Sequence, residues 1–325
     1  MKKIIYISLV ICVFFFSLNP IAFANENTLP QVSSPSALLM DYASGKIIYE
    51  KNPDEKLPLA SVTKIMTMLL AMEEIEKGRM KYDDIIIASA HAKSYGGSTI
   101  FLDEGEQMTV RDILKGIAVA SGNDAAVAMG EHIAGTEALF VERMNKRASE
   151  LGMKNTTFYN SSGLPTPSGN YSSCYDMALL TMYAMRNDLY KEIVSTKKYK
   201  VTTNKKTYIW NNKNKLLNYD YITGGKTGYT EESGRTLVST ASIDEMNLIV
   251  VTIRDSDDWN THLELYNYAK DNYIGYKVLN KNKFKVIGDN YYKDSIFYIK
   301  NDVYIPLKKS EKGSLISHII LEKKN

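Results

Sequence analysis

Strand-forming patterns lie towards both ends of this sequence, and helical patterns fill the segment between them. Residues 36–50 form two β-favouring runs around the turn-forming pair Ser44-Gly45, which predicts a hairpin. Between residues 198 and 255 the apolar period shortens towards two, and several strand-like runs follow one another. Because strands satisfy their backbone hydrogen bonds by pairing, strands near both ends of the chain are expected to join one sheet. The chain is therefore expected to be an α/β domain that carries a helical insertion.

Apolar residues at three- and four-residue spacing predict the helices. The helical segments are residues 61–77, 109–120, 125–135, 136–152, 175–187 and 257–273. Thr109 and Asp112 have the spacing of a capping box, and Gly78 and Gly152 stand where helices should end. After the last helix, residues 273–325 alternate Tyr, Ile, Val and Lys, which predicts a short all-β appendage.

The first 24 residues have the pattern of a secretory signal peptide. Two lysines precede an apolar stretch over residues 4–18, and Ala22-Phe23-Ala24 provides a small-x-small cleavage site. The alternative is a retained membrane anchor, which is disfavoured because the stretch is shorter than the roughly 20 residues that span a bilayer. We therefore expect export across the cytoplasmic membrane, with a mature chain that begins at Asn25 and acts on the cell-wall side.

Charge differs between the two predicted domains. Residues 25–272 contain 27 basic and 32 acidic side chains, whereas residues 273–325 contain 11 and 5. The basic end suits peripheral contact with a membrane or an anionic wall, and a solvated lysine-rich β surface is the alternative. Because the larger domain is acidic and has no basic-aromatic motif, nucleic acid is not an expected partner.

Ser61 and Lys64 stand three residues apart at the start of the first long helix. Residues at this spacing share a helix face, so the pair is either a helix cap with an incidental lysine or a nucleophile with its own base. Spacing alone does not decide, because Ser195 and Lys198 match it equally well where a helix passes into a strand. Lys64 can accept a proton only if burial and a second nearby cation lower its pKa.

Lys226-Thr227-Gly228 is the candidate source of that second cation. The triplet lies in ITGGKTGYT, between turn-forming glycines and a β-rich stretch. On a strand edge beside Ser61, its lysine and threonine would face a substrate carboxylate. Gly228 would allow close approach, and the amide of Tyr229 would be an oxyanion donor. The alternative is a Gly-rich hairpin without a catalytic role.

Ser121-Gly122-Asn123 interrupts two helices and forms the third element. A break between helices allows a hydroxyl and an amide to point together into a cleft. Taken alone, this triplet is better explained as a helix cap or a turn than as part of a functional site.

The three elements together resemble the signature of the penicillin-binding and active-site-serine β-lactamase superfamily. Within it, the sequence resembles the low-molecular-weight penicillin-binding proteins that act as serine D-alanyl-D-alanine carboxypeptidases. The resemblance covers about residues 30–272 and is carried by the segments LLMDYASGKIIYEKN, LPLASVTKIMT, ASGNDAAVAMGEHI, NSSGLP, YSSCYDMALL and GGKTGYTEESGRTLVSTA. It implies a β-lactamase/transpeptidase-like antiparallel sheet flanked by helices, with a helical insertion.

The resemblance also implies a reaction. Ser61 attacks the carbonyl between the two terminal D-alanines of a peptidoglycan stem pentapeptide, and Lys64 takes its proton. Ser121 relays the proton to the leaving amine, and water then hydrolyses the acyl-enzyme. β-Lactams imitate the D-alanyl-D-alanine bond, so they are expected to acylate Ser61 as covalent inhibitors.

Substrate-binding roles follow from the same resemblance. Asn123 would hold the peptide, while Lys226 and Thr227 would bind the terminal carboxylate. The amide of Tyr229, following Gly228, would complete the oxyanion site. Arg254 would reinforce the carboxylate contact, although a surface ion pair is an equal interpretation for this arginine.

The sequence gives less support to three other functions. A Ser-His-Asp hydrolase is disfavoured because His91, His132, His262 and His318 lie in no signature, and their spacing also predicts no metal site and no cofactor. A serine β-lactamase needs fast deacylation, yet residues 155–175 contain no acidic side chain to activate a water. A non-catalytic wall-binding protein of the same fold would not need a nucleophile with a base.

Overall fold

The computed structural model describes residues 29–167, 169–283, 286–287 and 296–311. The predicted signal peptide lies outside these ranges, as does much of the predicted appendage over residues 273–325. Within them the chain is an α/β protein, with an antiparallel sheet flanked by helices and a C-terminal β-hairpin, as the sequence predicted.

Five antiparallel strands form the central sheet in the order β2-β1-β11-β10-β9. In chain order the described strands are β1 Ser36–Asp41, β2 Ile47–Lys51, β3 Leu57–Pro58, β4 Ile85–Ile87, β5 Gln107–Thr109, β6 Tyr171–Ser172, β7 Lys198–Thr202, β8 Thr207–Asn211, β9 Ile222–Thr230, β10 Gly234–Ile243, β11 Met246–Ile253, β12 Tyr273–Leu279, β13 Val286–Ile287, β14 Ile296–Phe297 and β15 Val303–Lys308. The first and last thirds of the sequence therefore meet where β1 pairs with β11.

Helices cover both faces of the sheet. In the described residues they are α1 Lys64–Glu76, α2 Ala90–Lys93, α3 Val110–Lys115, α4 Asn123–Ala134, α5 Glu137–Glu150, α6 Cys174–Ala184, α7 Asp188–Val194 and α8 Asp258–Asn272. A 3₁₀ turn, Ser61–Thr63, precedes α1, and a π-helical segment, Gly116–Ala120, follows α3.

Alternate residues of the buried strands feed two separate hydrophobic clusters. Leu38 packs in the larger cluster with α1, α4 and α6, whereas its neighbour Leu39 packs in the smaller cluster against α8. Both side chains are fully buried. Because successive side chains of a strand point to opposite faces, a sheet buried on both faces shows no polar alternation.

Two predicted helices differ in detail from those observed. The helix predicted to begin at Ser61 starts as a 3₁₀ turn and becomes α-helical at Lys64. The helix predicted over residues 109–120 widens at Gly116 before Ser121, where a left-handed backbone ends it. The capping box at Thr109 is confirmed.

Several short elements were not predicted. The seven-residue α7 follows its N-cap Asn187, whose side chain accepts from the Tyr190 amide, but seven residues are too few to display a helical period.

Strands β7 and β8 were predicted as strands, and they pair only with each other. The boundary predicted at residue 273 coincides with the start of β12, and the division into domains stays a prediction.

A matched pair of isoleucines tests the core. Ile249 on β11 is fully buried, whereas Ile87 on β4 is 62% exposed. We expect Ile249→Ala to lower the free energy of unfolding by about 2 to 5 kcal/mol, because it leaves a cavity. Ile87→Ala should change it by no more than about 0.5 kcal/mol. Urea denaturation measures both, and equal losses would contradict this assignment of the core.

Candidate active site

Ser61 and Lys64 lie at the end of the sheet where the chain enters α1. Strand β3 pairs with β6, and the Leu59 amide donates to the Asn170 carbonyl, so backbone contacts with residues 170–172 hold the approach to Ser61. The 3₁₀ turn then places Lys64 one turn after Ser61, on the same face. Nζ of Lys64 lies 2.9 Å from Oγ of Ser61.

Three oxygen atoms surround the Lys64 amine. Besides Ser61 Oγ, they are Asn123 Oδ1 at 2.6 Å and the Ser162 carbonyl at 2.5 Å. A neutral amine has two N–H donors, which match the two carbonyl oxygens, and its lone pair is then free to accept from the serine hydroxyl. The surroundings therefore fit a lysine that acts as a base towards Ser61.

Burial lowers the pKa of Lys64 well below the ordinary lysine value. Its side chain is fully buried, and the positive charges of Lys226 and Lys213 lower the pKa further, whereas Asp124 opposes the shift. Burial disfavours the charged form because the ammonium loses its hydration. The two conditions that the sequence analysis set for this lysine, burial and a second cation, both hold.

Ser121 and Lys226 meet from opposite sides of the site. Lys226 is buried in β9, and its Nζ donates to Ser121 Oγ at 2.9 Å and to the Thr227 carbonyl at 2.8 Å. Burial first, and Lys213 second, lower the pKa of Lys226 to about 7. Ser121 has a left-handed backbone with φ of 63°, a conformation that a non-glycine residue adopts at a cost of order 1–3 kcal/mol.

Asn123 begins α4 and is 2% exposed. Its Nδ2 donates to the Gly96 carbonyl at 2.7 Å, which turns Oδ1 towards Lys64. The next residue, Asp124, accepts from the amides of Ile100 and Leu102 and so fastens the loop that carries Gly96. The Ser121-Gly122-Asn123 element therefore orients the base through Asn123 and borders the cleft through Ser121.

Gly228 lets β9 approach the nucleophile. A Cβ atom at this position would lie 2.8 Å from the Ser61 amide nitrogen, closer than side-chain carbons normally come to any atom. The preference for glycine is therefore steric at this point. The close approach places the Ser61 amide beside the strand that continues into Tyr229.

An open cleft of about 480 Å³ connects these groups. Its described lining residues are Ser61, Ser98, Ser121, Lys213, Thr227, Gly228, Tyr229, Arg235, Asp258 and Trp259. Five of the predicted site residues are on its surface. Lys64, Asn123 and Lys226 lie buried behind it, in hydrogen-bond contact with Ser61 or Ser121, or with each other.

Arg254 is not among the lining residues. It lies just past the end of β11 with φ of 60°, and its guanidinium donates to the Glu232 carbonyl at 3.0 Å. The structure thus gathers the other eight predicted residues around the cleft and leaves this arginine outside its lining. Ser195, the second serine with a lysine three residues on, ends α7 and donates to the Glu192 carbonyl.

Sequence reasoning missed several residues of the site. Ser162 contributes only its carbonyl, which no side-chain pattern reveals. Lys213 lies in the stretch NNKNK, where nothing distinguishes it from its neighbours. Arg235 lies inside a segment quoted for the resemblance, but without an assigned role. Among the described residues, no group of three His, Cys, Asp or Glu side chains could hold a metal ion.

The fold and this site define the active-site-serine, penicillin-recognising class of proteins. A model of the peptidase S11 family, described as D-alanyl-D-alanine carboxypeptidase, matches residues 23–257, and the chain belongs to this family. The resemblance stated from the sequence is therefore confirmed.

The chain is similar to several characterised members of that class. It is 43% identical over 257 residues to D-alanyl-D-alanine carboxypeptidase DacF of Bacillus subtilis, covering 77% of this chain and 66% of that protein. It is 38% identical over 256 residues to DacC of Escherichia coli, covering 75% and 63%. The crystal structure of penicillin binding protein 5 from Haemophilus influenzae superimposes with a TM-score of 0.76 and 32% identity, over 88% of this chain and 86% of that one. The chain thus spans slightly less than two thirds of the length of the two curated relatives.

The charge of Lys213 provides a test of how nearby cations lower the pKa of Lys64. Lys213→Gln removes a positive charge that lowers the pKa of both Lys64 and Lys226, so both values should rise. A higher pKa means that a higher pH is needed to neutralise Lys64. The acidic limb of the pH profile for labelling by a penicillin should therefore move to higher pH.

The measurement is the rate of labelling by a fluorescent penicillin as a function of pH. Lys215→Gln, an exposed charge change two residues away, is the control and should leave the midpoint where it is. A midpoint that stays fixed or falls in Lys213→Gln would contradict the account.

Proposed function

We propose that the protein is an exported serine D-alanyl-D-alanine carboxypeptidase. Its substrate would be the stem pentapeptide of peptidoglycan, from which it removes the terminal D-alanine through an acyl-enzyme on Ser61. The observation that carries the proposal is the 2.9 Å contact between Ser61 Oγ and the buried amine of Lys64, whose pKa is well below the ordinary value. No cofactor is required for this chemistry.

Acylation begins when the Ser61 hydroxyl gives its proton to Lys64 and attacks the peptide carbonyl. The negative charge on the carbonyl oxygen is then stabilised by the amides of Ser61 and Tyr229. The close approach of β9 at Gly228 supports this arrangement, because it brings the Ser61 amide next to the strand that carries Tyr229, and both residues line the cleft. In other enzymes, loss of one such donor costs roughly 10² to 10³ in rate.

Proton delivery to the leaving amine would be the task of Ser121. Its hydroxyl lines the cleft and is held by Lys226, whose pKa of about 7 lets the pair exchange protons near neutral pH. General acid catalysis of this kind contributes about 10² to 10⁴ in rate. Water then hydrolyses the acyl-enzyme and regenerates Ser61.

The substrate would lie along the open edge of β9. Thr227 and Lys226 are proposed to attract the terminal carboxylate, the threonine by its hydroxyl and the lysine by its charge. Asn123 still has one amide N–H beyond the contacts described, and this group would hold the peptide. Arg254 would reach the carboxylate only by leaving the Glu232 carbonyl.

The proposed location of the protein rests on two segments of the sequence, residues 1–24 and 273–325. The signal-peptide pattern over residues 1–24 supports export to the cell-wall side of the membrane. The excess of lysines over residues 273–325 would favour peripheral contact with an anionic wall or membrane surface. No helix in the described part of the chain has the length and apolar character needed to cross a bilayer.

Alanine variants of the serines in the two Ser-x-x-Lys sequences test the proposal. Ser61→Ala should abolish release of D-alanine from a pentapeptide and leave no covalent penicillin adduct, because the nucleophile is gone. Ser195→Ala, at the other Ser-x-x-Lys sequence, should retain both activities. Mass spectrometry of the products and of the labelled protein provides the measurement.

The alternative functions give different results in the same experiment. A β-lactamase would turn over many penicillin molecules per protein instead of accumulating an adduct. A non-catalytic wall-binding protein would show neither an adduct nor D-alanine release in the wild type. An adduct that survives in Ser61→Ala would show that a different residue is the nucleophile.

A further inference from the structure

Glu137 is a buried carboxylate that is not among the described lining residues of the cleft. It is the first residue of α5. One of its oxygens, Oε1, accepts from the amide of Ser161 at 2.9 Å and from the hydroxyl of Ser161 at 2.6 Å. The other oxygen, Oε2, accepts from the hydroxyl of Tyr95. A single side chain therefore joins the loop after α2 to the loop before β6.

The loop before β6 supplies one of the oxygens around the Lys64 amine. Ser161 is followed by Ser162, whose carbonyl accepts from Nζ of Lys64 at 2.5 Å. Thr67, one turn after Lys64 on α1, donates its hydroxyl to the Ser161 carbonyl at 2.6 Å. The backbone of Ser161 is thus held at its amide by Glu137 and at its carbonyl by α1. Both contacts fix the peptide units next to the carbonyl that meets Lys64.

The loop after α2 orients the second of these oxygens. Tyr95 is followed by Gly96, whose carbonyl accepts from Nδ2 of Asn123 at 2.7 Å. That contact turns Oδ1 of Asn123 to within 2.6 Å of Nζ of Lys64. Glu137 is therefore linked, through one loop or the other, to both carbonyl oxygens that surround the Lys64 amine.

The link through Tyr95 depends on a hydroxyl that keeps its proton. Burial first, and the hydrogen bond to Glu137 second, raise the pKa of Tyr95 well above its usual range. The tyrosine therefore stays a donor at any pH at which Lys64 changes its charge. Hydrogen bonds to a carboxylate are stronger than those between neutral groups, so the three contacts of Glu137 hold the two loops at a fixed separation.

We propose that Glu137 is a positioning residue for Lys64. By tying the loop of Tyr95 to the loop of Ser162, it fixes the two carbonyl oxygens that accept from the neutral amine and leaves the lone pair directed at Ser61. The inference rests on the proposed function and deepens it. Glu137 touches neither the substrate nor the reacting atoms, and its role requires the length of its side chain more than its charge.

Two substitutions at Glu137 separate length from charge. In Glu137→Gln the length is kept, and the amide group can accept from Ser161 and donate to the Tyr95 oxygen. Glu137→Asp keeps the charge but is one methylene too short to contact both loops. We expect Gln to retain most of the wild-type rate of acylation by a fluorescent penicillin. Asp should lower that rate about 10- to 100-fold, the order of loss that a small misplacement of a catalytic group causes.

The measurement is the first-order rate constant of adduct formation at saturating penicillin. Unfolded molecules form no adduct, so this constant does not depend on how much of a preparation is folded. The penicillin concentration that gives half of the maximal rate should stay near the wild-type value, because Glu137 does not border the cleft. A fall in the rate constant without a change in this concentration is the signature of a misplaced base.

Glu106 provides a matched control. It is also buried, and it also accepts from a backbone amide, an aliphatic hydroxyl and a tyrosine hydroxyl. These belong to Asp103, Thr203 and Tyr208, none of which is among the described lining residues of the cleft. Glu106→Asp should therefore keep the wild-type rate constant, even where it lowers the stability of the protein.

Tyr95→Phe tests the link to the loop after α2, because it removes only the hydroxyl. It should slow acylation, though by less than Glu137→Asp, which disturbs both loops. A wild-type rate constant in Tyr95→Phe or in Glu137→Asp would overturn the inference, and so would equal losses in Glu137→Gln and Glu137→Asp or in Glu106→Asp and Glu137→Asp. If Glu137→Asp does not fold, Tyr95→Phe decides. A wild type that forms no adduct would instead refute the proposed function.

Discussion

The removal of water from one amine is the constraint on which the site depends. Lys64 has no exposed surface, and its Nζ is enclosed by Ser61, Asn123 and the Ser162 carbonyl. A lysine so placed loses the hydration that stabilises its charge. Four separate parts of the chain have to come together to exclude that water: the start of α1, the start of α4, the loop before β6, and β9.

Each of these parts is held by its own local structure. In the loop before β6, Asn160 accepts from the amides of Ser162 and Gly163, so the carbonyl that meets Lys64 is presented by a fixed turn. Gly163 has a positive φ and lies against the backbone of Ala60, where a side chain would not fit. On the other side, pairing with β10 holds β9 in register. The preference for glycine at two positions is thus a consequence of how closely the chain packs around Ser61.

Most of the longer helices and strands could be predicted, because the spacing of apolar residues and the positions of turn-forming residues indicate them directly. The hairpin of β1 and β2, the helices α1, α5, α6 and α8, and strands β9 to β11 all follow from these signals. The short elements could not be predicted, since two or three residues, as in β3 or β4, show no period. That the two ends of the chain join one sheet was inferred because both carry strands, but the pairing of β1 with β11 itself was not predicted.

Some residues of the site could likewise be predicted from the sequence, and others could not. Ser61, Lys64, Ser121, Asn123 and Lys226 stand in motifs with fixed spacing, and the structure brings all five together. Lys213 affects the site through its charge, Arg235 lines the cleft from β10, and Ser162 contacts Lys64 through its backbone carbonyl. Such contributions depend on tertiary packing, which a linear pattern does not encode. Arg254 was assigned by resemblance alone, and the structure leaves it outside the cleft lining.

The protonation state of Lys64 can be measured directly by NMR titration of protein labelled with carbon-13 at the lysine Cε positions. The signal absent from a Lys64→Met variant identifies this residue. Lys64 should lose its charge well below the pH at which exposed lysines do, so its signal should have the shift of a neutral amine while the exposed lysines are still charged. A Lys64 signal that titrates together with the exposed lysines would contradict the central claim.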